Sequence, residues 1–241
     1  MNKKFTQNKR GSHVGVILSF MIFVTFLIFM FSILEPAVKT DQEKESLLNF
    51  LENEIIDYVT KDVVTSVIGL EDIDKVQGCI NLNSPVNILG LGMPLSIIIK
   101  DSSEGVAGYE LNGEIISIDK PIGENFLKFF YLGVLPAATT STCTGYFELF
   151  EDYQVAYTRT TSQIYKSEIK TLITNNQVTN NLNGVFDTTN EIGLKFEDSD
   201  GVILETTPPE ISSNVYSKEI NIEYIDEEAT IKPGRLTISV W

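Results

Sequence analysis

Histidine is almost missing from this chain: the only one is His13, and the cysteines number two, Cys79 and Cys143. Both scarcities exclude chemistry. With no histidine beyond position 13, no Ser-His-Asp or Cys-His arrangement can form in the body of the protein. Two cysteines without a nearby histidine leave a tetrahedral zinc site short of ligands. The glycine-containing "GLGMP" at 90–94 lacks the Lys-Ser/Thr of a phosphate loop. In "EDSDG" at 197–201, Gly201 stands fourth from Asp198, where a calcium loop of the EF-hand kind needs its glycine sixth, so the stretch reads as a hairpin turn. Paired carboxylates could still serve a hydrolase, but nothing in the sequence makes two of the 33 acids converge. The expectation is a chain that is not an enzyme, holds no cofactor and offers no identifiable small-molecule site.

Positive charge is also scarce, and it is unevenly placed. Residues 1–34 carry four basic residues (Lys3, Lys4, Lys9, Arg10) and no acid. The remainder carries 14 basic against 33 acidic residues, a net of −19. Such a body repels phosphate backbones, which excludes nucleic acid as a favoured partner.

What is present is a run of apolar residues from Val14 to Leu34 without one charged side chain. At about 1.5 Å per residue, 21 residues in a helix cover about 30 Å, the hydrocarbon thickness of a bilayer. The partner of residues 14–34 is therefore membrane lipid. The basic flank before the run and Glu35, Asp41, Glu43 and Glu45 after it predict a cytoplasmic N-terminus and an extracytoplasmic body. A cleaved secretion signal fits less well. Its apolar region is usually about 7–15 residues, and cleavage after Ala37 would put Glu35 where a small residue is wanted.

The flank "KRGS" adds a third reading. A basic pair, Gly11, the small Ser12 and an immediate hydrophobic helix resemble the processing site of type IV pilin-like precursors, in particular the archaeal kind with a short basic leader. The resemblance implies cleavage after Gly11, a mature chain beginning at Ser12, and retention of the helix. It covers about 25 residues, and it departs from the family at the fifth residue after the cut, where Val16 stands in place of the glutamate that many pilins carry.

After Pro36, which is expected to kink or interrupt the helix, Thr40 and Glu43 have capping-box spacing. Leu47, Leu48, Leu51, Ile55, Ile56, Tyr58 and Val59 then recur on one face, predicting an amphipathic helix within a juxtamembrane segment 35–68. Its apolar face could meet the protein's own head or a neighbouring subunit. From 69 to 241 the pattern is mostly β: "LSIIIK", "FLKFFYLG", "YFELFEDYQVAYTRT", "KEINIEYID" and "RLTISVW" are strand candidates. Asn112-Gly113 and Asp198–Gly201 mark hairpin turns. "SQIYKSEIKTLITN" predicts one short helix with Ile164, Tyr165, Ile169, Leu172 and Ile173 on one side.

The predicted class is α+β: a basic N-terminus (1–13), a transmembrane helix (14–34), the juxtamembrane helix (35–68) and a mainly antiparallel β-rich extracytoplasmic domain (69–241). Cys79 and Cys143 fall in the domain assigned to the exterior, where they either form one disulfide or stand as separate thiols. The expected function is structural, as a pilin-like subunit or assembly component of a surface appendage, with like subunits or other envelope proteins as partners. A stand-alone tethered binding or adhesion module is the alternative.

Overall fold

The computed structural model describes residues 12–70, 78–83, 96–112, 115–119, 122–132, 143, 149–150, 154–179, 182–206 and 215–241. Two compact units divide the chain, residues 1–50 and 51–241. The first is built on helix α1, which runs Ser12–Val59. Its apolar stretch is exposed along its length, Phe20 and Phe31 being 66% and 70% accessible. Its hydroxyls turn inward: Thr25 Oγ1 donates to the Met21 carbonyl at 2.6 Å and Ser32 Oγ to that of Ile28 at 2.9 Å.

Two expectations for this region are corrected. Helical structure continues through Pro36, and Thr40 lies inside the helix rather than at an N-cap. Proline deletes one i→i−4 bond but holds a helical φ, so a helix with intact turns on both sides can cross it. The juxtamembrane helix also does not extend to residue 68. It ends at Val59, and Thr60–Gly69 form strand β1. The sequence TKDVVTSVIG explains the switch: six of its ten residues are β-branched, and the helical stripe gives way to short-period burial of Val63, Ser66 and Ile68.

In the second unit, the last helical turns bury Leu51, Ile55 and Val59 while Glu54 and Asp57 stay exposed. Tyr58 meets Phe186 edge-on at 6.2 Å, and Glu52 pairs with Lys218. The strands that follow are β2 (Cys79–Asn83), β3 (Ser96–Lys100), β4 (Val106–Ala107), β5 (Tyr109–Asn112), β6 (Ile115–Asp119), β7 (Phe126–Leu132), β8 (Leu149–Phe150) and β9 (Gln154–Tyr165). Helices α2 (Lys166–Thr179) and α3 (Leu182–Val185) come next, then β10 (Ile192–Glu197), β11 (Ile203–Glu205), β12 (Tyr216–Ile225) and β13 (Ile231–Val240). The predicted short helix therefore starts later than expected. Ile164 and Tyr165 close β9, Ile164 paired with β1 and both residues with β12, and only Ile169, Leu172 and Ile173 form the helix's buried side.

Pairing is mainly antiparallel, in a nine-stranded sheet β11-β10-β13-β12-β9-β1-β7-β3-β4 and a four-stranded sheet β5-β6-β2-β8. The hairpin predicted at Asn112-Gly113 pairs Asn112 with Ile115, its turn residues 113–114 lying outside the described residues. The four-stranded sheet packs against the β1-β7-β3 part of the larger one. Ile80, Leu82, Ile116 and Ile118 meet Ile68, Ile99 and Phe129 in one core from which water is excluded.

The large sheet is joined at its middle by little. Strands β12 and β9 touch, in parallel, only at Tyr224–Ile164 and Ile225–Tyr165. Tyr224 is fully buried there, with its ring edge-on to Phe196 at 5.2 Å and its hydroxyl 3.3 Å from both the amide nitrogen and Oγ of Ser199. Gly234 makes room for that pair, because a Cβ on it would lie 2.9 Å from atoms of both rings.

Candidate functional site

Three turns at strand ends share one construction. They are Asp101–Gly105 between β3 and β4, Asp198–Val202 between β10 and β11, and Asp226–Thr230 between β12 and β13. In each, the aspartate amide donates to the carbonyl four residues on (3.0 Å in all three), and residue four of the turn donates back to the aspartate carbonyl. That fourth residue is left-handed: Glu104 at φ 66°, Gly201 at 77°, Ala229 at 54°. One carboxylate oxygen accepts the amides two and four residues ahead: Ser103 and Gly105 on Asp101, Asp200 and Val202 on Asp198, Glu228 and Thr230 on Asp226, all within 2.8–2.9 Å. The sequence signal is an aspartate closing a β run, with a second strand resuming five residues later. Only the turn at 198–201 was marked by its glycine; the other two have none at the left-handed position.

Lysines brace these turns. Lys166, the first residue of α2, donates to Asp198 Oδ2 at 2.8 Å, and Lys232 stands 3.0 Å from Asp226. Burial alone would push these carboxyls up. The Lys166 ammonium and the Val202 and Asp200 amides outweigh it at Asp198 and hold it below the usual carboxylate range. Asp226 is likewise depressed, by Thr230, Lys232 and Glu228, as is Asp101 by Ser103 and Gly105.

Lys100 is the least exposed of the lysines among the described residues, at 2%. Its ammonium donates to the Ala229 carbonyl at 3.2 Å and Thr230 Oγ1 at 2.8 Å, tying the β12–β13 turn to the face of β3. Desolvation lowers its pKa against the opposing pull of Glu104, Asp226 and Glu228. Beside it lies a cavity of about 300 Å3, with Val63, Thr65, Phe130, Thr161 and Gln163 on the sheet side and Ile225, Ala229 and Thr230 on the turn side. Among the described lining residues there is no histidine, cysteine or serine. The aspartate oxygens and the lysine protons are spent on one another and on backbone, so this constellation braces the sheet end.

Of the residues singled out in the sequence, Cys79 and Cys143 are brought together as a disulfide, with Cα atoms 5.9 Å apart. Cys79 is paired in register with Asp119, whose Oδ1 lies 2.7 Å from Cys143 Sγ. Gly11 lies outside the described residues, and Ser12 opens α1. The crosslink spans a sequence separation of 64, so its loss is expected to cost about 4 kcal/mol by relieving the constraint on the unfolded chain. Urea unfolding of the Cys79→Ser/Cys143→Ser chain against the wild type measures this, and equal midpoints would refute it. Comparison with protein-family models, with curated proteins and with solved structures found no match.

Proposed function

We propose that this chain is a single-pass membrane protein whose acidic, β-rich body lies outside the cytoplasm, and that it serves as a pilin-like subunit or assembly component of a surface appendage. The observation that carries the membrane part is the helix His13–Ile33, 21 residues long, with none of its most apolar window buried. A water-soluble protein would cover such a helix, because exposed apolar area carries a large hydration cost. Thr25 and Ser32 return their hydroxyls to backbone carbonyls, the arrangement suited to a medium without water. The lysine and arginine cluster before the helix supports a cytoplasmic N-terminus, and the disulfide suits an oxidising exterior. The "KRGS" flank, and a helix that continues past its apolar run before the β-rich head, support the appendage reading.

Val16, where a pilin often has glutamate, favours the second reading, a tethered binding module that acts without a filament. The N-terminus of the protein purified from membranes separates the two. It is expected to begin at Ser12, and the protein is expected to resist carbonate extraction until residues 13–33 are deleted. An intact Met1 or Asn2 terminus would favour the tethered module, and absence of the full chain from membranes would refute both.

A further inference from the structure

The two outer edges of the large sheet are short, β11 having three residues and β4 two. The longer edges are internal, on β9 and β12 where these two strands part. Strand β9 pairs along its length with β1 on one side, but β12 covers its other side only at Ile164 and Tyr165. Toward the N-terminus a bulge at Ala156 breaks the register, since Val67 faces Tyr157 and Ile68 faces Val155. Between these limits, Tyr157–Gln163, "YTRTTSQ", present a regular strand edge with no partner among the described residues.

Inside these limits the edge is lightly protected: it contains no proline, lysine or acid and one charge, Arg159, and Tyr157, Thr158, Arg159, Thr160 and Ser162 are exposed. A row of backbone N–H and C=O groups is satisfied best by another extended backbone. We propose that the occupant is a second copy of this chain, its β9 laid antiparallel to the first about a two-fold axis through Thr160.

Charge and self-complementarity select that occupant. Two bodies of net −19 repel over most of their surface, but residues 154–163 contain no acid and one base, Arg159. With the axis at Thr160, Tyr157 of one protomer faces Gln163 of its partner, Thr158 faces Ser162, and Arg159 faces Thr161. No like charges are opposed, and the hydroxyl pairs are of the kind that stabilises neighbouring strands. A two-fold contact of this sort uses the same patch on both copies and closes at two. The pairing goes beyond the appendage reading and does not depend on cleavage after Gly11.

The test uses charge at the axis, where one substitution meets itself. Sedimentation velocity of the full chain in detergent micelles is expected to show a concentration-dependent dimer. Thr160→Lys and Thr160→Glu each place like charges opposite one another and should raise the dissociation constant on the order of tenfold or more. An equimolar mixture of the two should restore dimerisation. Thermal unfolding of each variant checks that the exposed substitution leaves the fold intact. A wild-type chain that stays monomeric, an unchanged dimer in both variants, or loss in both without rescue on mixing each overturns the proposal. A dimer with an intact Met1 terminus would sink only the pilin reading, and a Ser12 terminus on a monomer only this one.

Discussion

Asp198→Ala is expected to destabilise the head by about 3 kcal/mol, enough to lower Tm by roughly 10 °C in a domain of this size. The carboxylate is 5% exposed and serves three donors: the Asp200 and Val202 amides and the Lys166 ammonium. Truncation strands all three. The two amides lose their acceptor at a turn whose fourth residue, Gly201, is already left-handed, while Lys166 can recover part of its hydration because its side chain is 20% exposed. Asp198→Asn keeps an oxygen for the amides and loses only the charge, so a smaller loss, about 1–2 kcal/mol, is expected.

The pH dependence follows from the sign of the shift. Asp198 titrates below its ordinary value in the folded protein. Its contribution is therefore complete above the unfolded aspartate value of about 3.9 and is lost as pH falls through the lower folded value. The stability gap between wild type and Asp198→Ala should be constant from pH 6 to 5 and narrow toward pH 2. Denaturant titrations across that range measure it. A gap that widens on acidification would show that the carboxylate is not the charged, stabilised form.

The second large effect is expected at the seam of the nine-stranded sheet. Tyr224→Ala should cost about 3–5 kcal/mol, because Tyr224 is fully buried and supports three contacts together: the edge of Phe196, the close approach of Gly234, and the parallel pairing with Ile164. Tyr224→Phe should cost only about 1 kcal/mol, losing the hydroxyl's approach to Ser199 but not the ring. Equilibrium unfolding monitored by near-ultraviolet circular dichroism gives both values. Near-equal losses would mean that the hydroxyl, not the packing, holds the seam.

The sequence was most informative where a single local rule decides. Enrichment in β-branched and aromatic residues located β3, β7, β12 and β13, and the apolar run located the one helix among the described residues long and apolar enough to cross a membrane. It misled where tertiary pairing overrides local pattern. Thr60–Gly69 follows a helical stripe without punctuation, and what makes it a strand is the presence of β7 and β9 on either side. Tyr165 fits a helix by spacing, but its pairing with Ile225 of β12 holds it as strand. Cysteine spacing could not say whether Cys79 and Cys143 meet, since that depends on where β2 places Cys79 relative to a residue 64 positions away. Of the aspartate turns DSSEG, DSDGV and DEEAT, only DSDGV is legible as a turn, by its glycine; the varied interiors conceal the other two. Only the first residue and the backbone are shared, because the carboxylate organises the loop through amides that every non-proline residue has.

The place of β1 in the sheet also sets the order of events as the chain is made. Its residue Asp62 receives the hydroxyl of Ser162, 100 positions later, at 2.8 Å. At a synthesis rate of about 5–20 residues per second, β1 waits on the order of ten seconds for that neighbour to emerge. During that interval a strand rich in valine and isoleucine exists with at least one side unpaired, and the pairing of β1 with β9 can close only after the β7-β3-β4 flank has been translated. A nascent chain of this topology has to be shielded early, at a strand that in the finished protein is paired on both sides.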